Sequence, residues 1–186
     1  MHHRPLRAIA VACIALAVAA CATGAPSSAP TPTPAAATYD EAQDAICSAF
    51  GAMLRAVGNP DAGTPSILSK TLDEAVTAGD VPAAERAAAG MAAELQAAVQ
   101  QAAVAVRYED SAPAAAAMNT LFVAFGAMIT AKLAVARKTP GATDPQAAFE
   151  QAGGVEAWTA MLVGLQRMPI PSGAVPKACK AFSGTP

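Results

Sequence analysis

An all-α fold, an up-and-down bundle of four main helices plus one or two short helices, is what this 186-residue sequence predicts. Three observations carry that expectation. From Tyr39 onward, apolar residues recur three and four positions apart, the spacing of one helical face. Residues that start and stop helices punctuate these runs at intervals suited to short connections. No stretch sustains the alternation of a half-buried strand, so essentially no sheet is expected. Alanine supplies 52 residues, so most apolar positions in this bundle are small.

The elements follow in order. Thr38 with Glu41 three residues later is a capping-box pattern. Tyr39, Ala42, Ile46, Phe50, Met53 and Val57 then form one stripe, and Gly58-Asn59-Pro60 stops the helix. A second helix is expected to start at Thr64-Pro65, with proline in the tolerated first position, and to bury Leu68, Leu72 and Val76 before Gly79. Asp80 caps a third, whose stripe is Ala84, Ala88, Met91, Leu95, Val99, Ala102 and Val106. Ser111 with Pro113 opens a fourth carrying Met118, Phe122, Phe125, Ile129 and Leu133. It ends in Arg137-Lys138, cations where the helix dipole favours them. Asp144-Pro145 opens a fifth with Phe149, Trp158, Leu162 and Leu165, which Gly153-Gly154 breaks or bends. A short terminal segment over 176–182 holds Cys179.

Gly51, Gly90, Gly126 and Gly164 fall inside these helices, each at a cost of about 1 kcal/mol relative to alanine. Close approach of neighbouring backbones is one explanation. The other is a groove floor that leaves room for an apolar ligand. The methionines at 91, 118, 128, 161 and 168 divide the same way, between ordinary core and an adaptable apolar site.

Ahead of the bundle lies a different kind of sequence. Arg4 and Arg7 give a basic start, and Ala8 to Val18 is an unbroken apolar run. That run falls short of the ~20 residues a spanning helix needs. It reads as a secretory signal, residues 1–20, with small residues before the cut. Val18-Ala19-Ala20-Cys21 places an aliphatic residue three before a cysteine and two small residues between. In these positions the chain resembles bacterial lipoprotein precursors; the resemblance covers the export segment and stops there. It implies diacylglyceryl transfer to Cys21, cleavage before it, and anchoring in a membrane by acyl chains such as palmitate. Ordinary secretion with a coincidental cysteine near the cut is the alternative.

With Cys13 lost in the signal and Cys21 lipidated, Cys47 and Cys179 remain as one pair, expected as a disulfide in an oxidising compartment. Such a bond would tie the first helix to the last segment. Residues 21–38 form the lipidated N-terminus and a linker rich in alanine, proline, threonine and serine, with Pro26, Pro30, Pro32 and Pro34 and no charge. Nothing there offsets the entropy of ordering, so a tether is expected. Residues 39–186 are then a single α-helical domain.

Charge and chemistry narrow the function. The net charge of −2 excludes a basic nucleic-acid binder. Residues 39–110 carry 11 acids and 4 bases, whereas residues 111–186 carry 3 acids and 6 bases, a division that suits two halves of one bundle packing together. The only histidines, His2 and His3, leave with the signal, which removes histidine-dependent nucleophiles and histidine-ligated metals. No glycine-rich phosphate loop is present. The acids Asp40, Glu41 and Asp44 sit on a helix's first turn, where negative charge suits the dipole; Asp73-Glu74 and Glu109-Asp110 are adjacent and hence splayed on a helix. No catalytic residue, metal or cofactor is expected. The expected function is a membrane-anchored, extracytoplasmic lipoprotein whose helical domain is a non-enzymatic binding or structural module for another envelope protein. The alternative is carriage of a small apolar, lipid-like ligand between helices.

Overall fold

The computed structural model describes residues 35–59 and 63–167. The expected signal segment, Cys21, most of the expected linker and the terminal segment with Cys179 lie outside the described residues. Six helices make up most of the described residues, so the fold is an all-α bundle. They are α1 (Tyr39–Val57), α2 (Ile67–Ala78), α3 (Val81–Ala105), α4 (Ala112–Ala136), α5 (Pro145–Gln151) and α6 (Gly154–Arg167).

Local chemistry sets the ends. At α1 the Thr38 hydroxyl accepts from the Glu41 amide at 3.3 Å, and the Glu41 carboxylate accepts from the Thr38 amide at 2.8 Å, completing the capping box. Those Thr38 hydrogen bonds, first the backbone one and then the hydroxyl, hold the Glu41 carboxyl below its ordinary range, with Arg107 adding to the effect. Asp80 and Asp144 each accept from the amide three residues on, at 3.0 Å, and so cap α3 and α5.

The start of α2 differs from the sequence expectation. Thr64-Pro65 is not its first turn but β2 (Thr64–Pro65), pairing antiparallel with β1 (Gly58–Asn59) in a two-residue ladder. Ser66 caps the helix instead. Its hydroxyl accepts from the Ser69 amide at 3.0 Å and donates to the Ala56 carbonyl at 2.7 Å, satisfying groups on two helices at once. The ladder is possible because Gly58 adopts φ +94°, and a Cβ there would overlap the carbonyl of Thr64. Leu72 is buried as expected, while Leu68 and Val76 are half-buried.

Ser111 also departs from its expected role. It precedes α4, but its side chain caps nothing on that helix. Fully buried, it donates to the carbonyls of Ala105, at 2.5 Å, and Tyr108, at 3.1 Å. It thereby closes the end of α3. The fifth predicted helix is two helices, α5 and α6, divided where Gly153 takes φ +78°.

The main helices alternate in direction. At one end Tyr39 of α1 meets Tyr108, just beyond α3, edge-on at 5.7 Å, and Arg107 donates to the Ala35 carbonyl. Further along, Arg55 of α1 pairs with Glu94 of α3 at 3.0 Å. Packing runs from α1 to α3, from α3 to α4 and from α4 to α6, with α2 laid against α3 and α4. Met53, Leu72, Met91, Met118, Leu121 and Met161 are the large side chains wholly buried, and alanines fill the space between them. Methionines 91, 118 and 161 are therefore core, and Met168 lies outside the described residues. Helix α4 is long and apolar enough to cross a membrane, yet more than half of that stretch is buried in the bundle. In the predicted α3 stripe, Val99 and Val106 are exposed, as is Leu162 on α6.

The charge division has a structural counterpart. Lys132 on α4 pairs with Asp73 on α2, and Arg137 pairs with Glu85 on α3 at 2.6 Å. Each joins a base of the second half to an acid of the first.

Candidate functional site

The helical glycines have different surroundings. A Cβ on Gly164 would lie 2.9 Å from the Ala114 Cα, so this glycine marks close contact of the α6 and α4 backbones. A Cβ on Gly90 would meet the end of the Leu68 side chain at 3.0 Å. Gly51 is buried in α1. Around a Cβ on Gly126 nothing lies within 4 Å. Packing accounts for Gly164 and Gly90, but not for Gly126.

Gly126 lines a groove of about 780 Å³ between α3 and α4. Ala88, Leu95, Phe122 and Ile129 form a buried apolar floor. The rim carries Val99, 39% exposed, and Val123, 66% exposed, with Gln96 and Thr130 as its uncharged polar members. At one end the guanidinium of Arg137 spans to Glu85, its Nε and Nη2 both donating to one carboxylate oxygen. The outward side of α4 continues the groove without a charge: Ala116, Thr120, Val123 and Thr130 are exposed at spacings of three, four and seven, and no ionisable residue occurs from Ala112 to Ala131. The groove is open to solvent. A small-molecule site usually encloses most of its ligand. An open trough, apolar below and uncharged along its sides up to the Glu85–Arg137 end, instead suits the apolar face of another helix.

A second, smaller cleft of about 400 Å³ lies among α4, α5 and α6. Phe125 and Phe149 pack at 5.1 Å, and Met128, Val155 and the half-buried Trp158 complete its apolar wall. Trp158 thus packs against the core with one side and lines a cleft with the other.

The remaining sequence candidates sit apart from both hollows. Asp40, Glu41 and Asp44 lie on the exposed side of α1 near its start. Asp73 and Glu74 splay as expected, one to Lys132 and the other to Lys70. Asp110 accepts a hydrogen bond from the Tyr108 hydroxyl, whose pKa is raised by desolvation and then by the Asp110 charge. Cys47 is half-buried on α1. Among the described residues, no three His, Cys, Asp or Glu side chains gather where they could hold a metal ion.

Sequence reasoning singled out Gly126, placed Trp158 only in the apolar run of the fifth helix, and missed Val99 and Val123 as a rim. No family model, curated protein or solved structure matches this chain.

Proposed function

We propose that this chain is a lipid-anchored protein of the cell envelope whose helical domain is a non-enzymatic docking module. Residues 1–20 would direct export, Cys21 would carry the acyl chains, and a Cys47–Cys179 disulfide would staple the first helix to the terminal segment. Two or more acyl chains hold a protein stably at a bilayer, whereas one does so only marginally. The single observation that supports docking is the α3–α4 groove: apolar-floored, open and charged only at its Glu85–Arg137 end, with a glycine that no contact inside the bundle requires. Glu41, Asp80 and Asp144 are engaged in capping, and Arg55, Glu94, Glu85 and Arg137 in ion pairs between helices, which favours a structural role for these residues over catalysis.

The test has two arms. Mass spectrometry of the membrane-purified protein should find Cys21 as the mature N-terminus with its acyl groups; an unmodified Cys21 removes the anchor. A photo-crosslinker replacing Val123 should capture a polypeptide in intact envelopes, and one replacing the remote, exposed Asp44 should not capture the same species. Equal capture from both positions would remove the groove as the docking site.

The cleft at Trp158 supports a second reading, carriage of a small apolar ligand. Native mass spectrometry of the purified protein should then show a bound lipid-like species that dissociates when Trp158 is replaced by Ala.

A further inference from the structure

We propose that the helix seated in the α3–α4 groove is α4 of a second copy of this chain, paired antiparallel about a two-fold axis. The inference rests on the docking reading above and names its occupant.

A two-fold interface has to be self-complementary, because the same patch faces itself. Helix α4 satisfies this with two residues. Val123 projects, 66% exposed, and Gly126 offers open space three residues later, on the same side of the helix and in the same groove. An axis passing between them seats each Val123 over the Gly126 of the other copy. The flanking exposed residues, Ala116, Thr120 and Thr130, are small and uncharged, so the helices approach without steric or like-charge conflict.

Charge fixes the direction. Glu109 and Asp110 stand exposed just before α4, and Lys138 stands exposed just after it. Twenty-eight residues separate Asp110 from Lys138, about 42 Å at the helical rise, so they cannot meet within one copy. A parallel pairing would set acid against acid and base against base. The antiparallel pairing that matches Val123 to Gly126 also sets Lys138 of each copy beside Asp110 of the other, at both ends of the contact. Opposed charges at the edge of an uncharged centre are how an interface selects register and orientation.

The experiment uses the full-length protein in membranes with a photo-crosslinker at position 123. The expected product has twice the mass of the chain, with linked peptides that both derive from this sequence. Gly126→Leu fills the recess from a position where an added Cβ meets nothing within 4 Å in the monomer, and should cut the self-linked product roughly tenfold, the effect of about 1.4 kcal/mol on association. Asp110→Lys and Lys138→Asp should each lower it, and the two together should restore it. Circular dichroism of the variants reports that each is folded. A self-linked yield indifferent to Gly126→Leu, or a charge swap that fails to rescue, overturns the pairing. Capture of a different protein with no self-linked product overturns the second copy as occupant while sustaining the groove as a docking site. No capture from position 123 overturns both.

Discussion

Replacing Gly164 by alanine sets two effects of opposite sign against each other, and the structure says which wins. Alanine is favoured over glycine inside a helix by about 1 kcal/mol. At position 164, however, the added methyl would lie 2.9 Å from the Cα and Cβ of Ala114 and 3.0 Å from its nitrogen, about 0.5 Å inside the 3.4 Å of ordinary contact. Those atoms belong mainly to backbone, so the methyl cannot be accommodated by turning a side chain. Helices α4 and α6 must move apart, and overpacking of this kind costs about 1–3 kcal/mol, occasionally more. The expected net loss is about 1 kcal/mol after the propensity gain is subtracted. Gly126→Ala is the internal control. With nothing in the same chain within 4 Å of the new methyl, the propensity gain stands alone in the monomer, which should be more stable by up to about 1 kcal/mol. Urea unfolding followed by far-ultraviolet circular dichroism measures both. A domain of this size shifts its melting temperature by about 2–4 °C per kcal/mol, so the two variants should separate by several degrees in opposite directions. If Gly164→Ala proves as stable as Gly126→Ala, the backbones of α4 and α6 do not approach as described.

Further outcomes follow from single side chains. Ser111→Ala deprives the buried carbonyl of Ala105 of its hydroxyl donor and should cost about 1–2 kcal/mol in the same unfolding assay. The Asn119 Oδ1 is buried without a hydrogen-bond partner, so Asn119→Leu, which removes that orphan acceptor at similar size, should stabilise by about 1 kcal/mol. Glu41 is held below its ordinary pKa of 4.5 in the folded state, so the unfolded chain takes up its proton first as pH falls. Its contribution is complete above about pH 4.5 and is lost as pH drops through the folded value. Glu41→Gln should therefore flatten the decline of melting temperature as pH falls below about 4.5.

How much of this was legible in the sequence depends on whether the deciding contact is local. The caps at Thr38, Asp80 and Asp144 involve partners three residues away, and each was readable from spacing alone. Ser66 and Ser111 were not, because their hydroxyls reach the carbonyls of Ala56 and Ala105, on the helices before them. The break at Gly153 was visible as a glycine pair, whereas its outcome, two helices rather than one bent one, depended on the left-handed conformation at a single residue. Gly126 and Gly164 look alike in sequence, and only the presence or absence of a neighbouring helix separates them. Val123 escaped notice for a related reason: it is as apolar as the inward stripe of α4, so its side chain alone does not mark it as exposed. The groove consequently belongs to the class of sites that appear only once two helices are placed side by side.

The short helix α5 has a consequence for how the molecule breathes. Seven residues are too few to persist as a helix in water, and none of those in α5 is buried. Its purchase on the bundle comes largely from one ring, Phe149, resting on Phe125 and on the bare backbone of Gly154. Lifting that ring sacrifices little of the interior, so α5 should be the first helix to exchange its amide protons, well before α3 or α4. The hollow beside Trp158 then has one wall, the ring of Phe149, carried by the helix that opens first and well ahead of global unfolding.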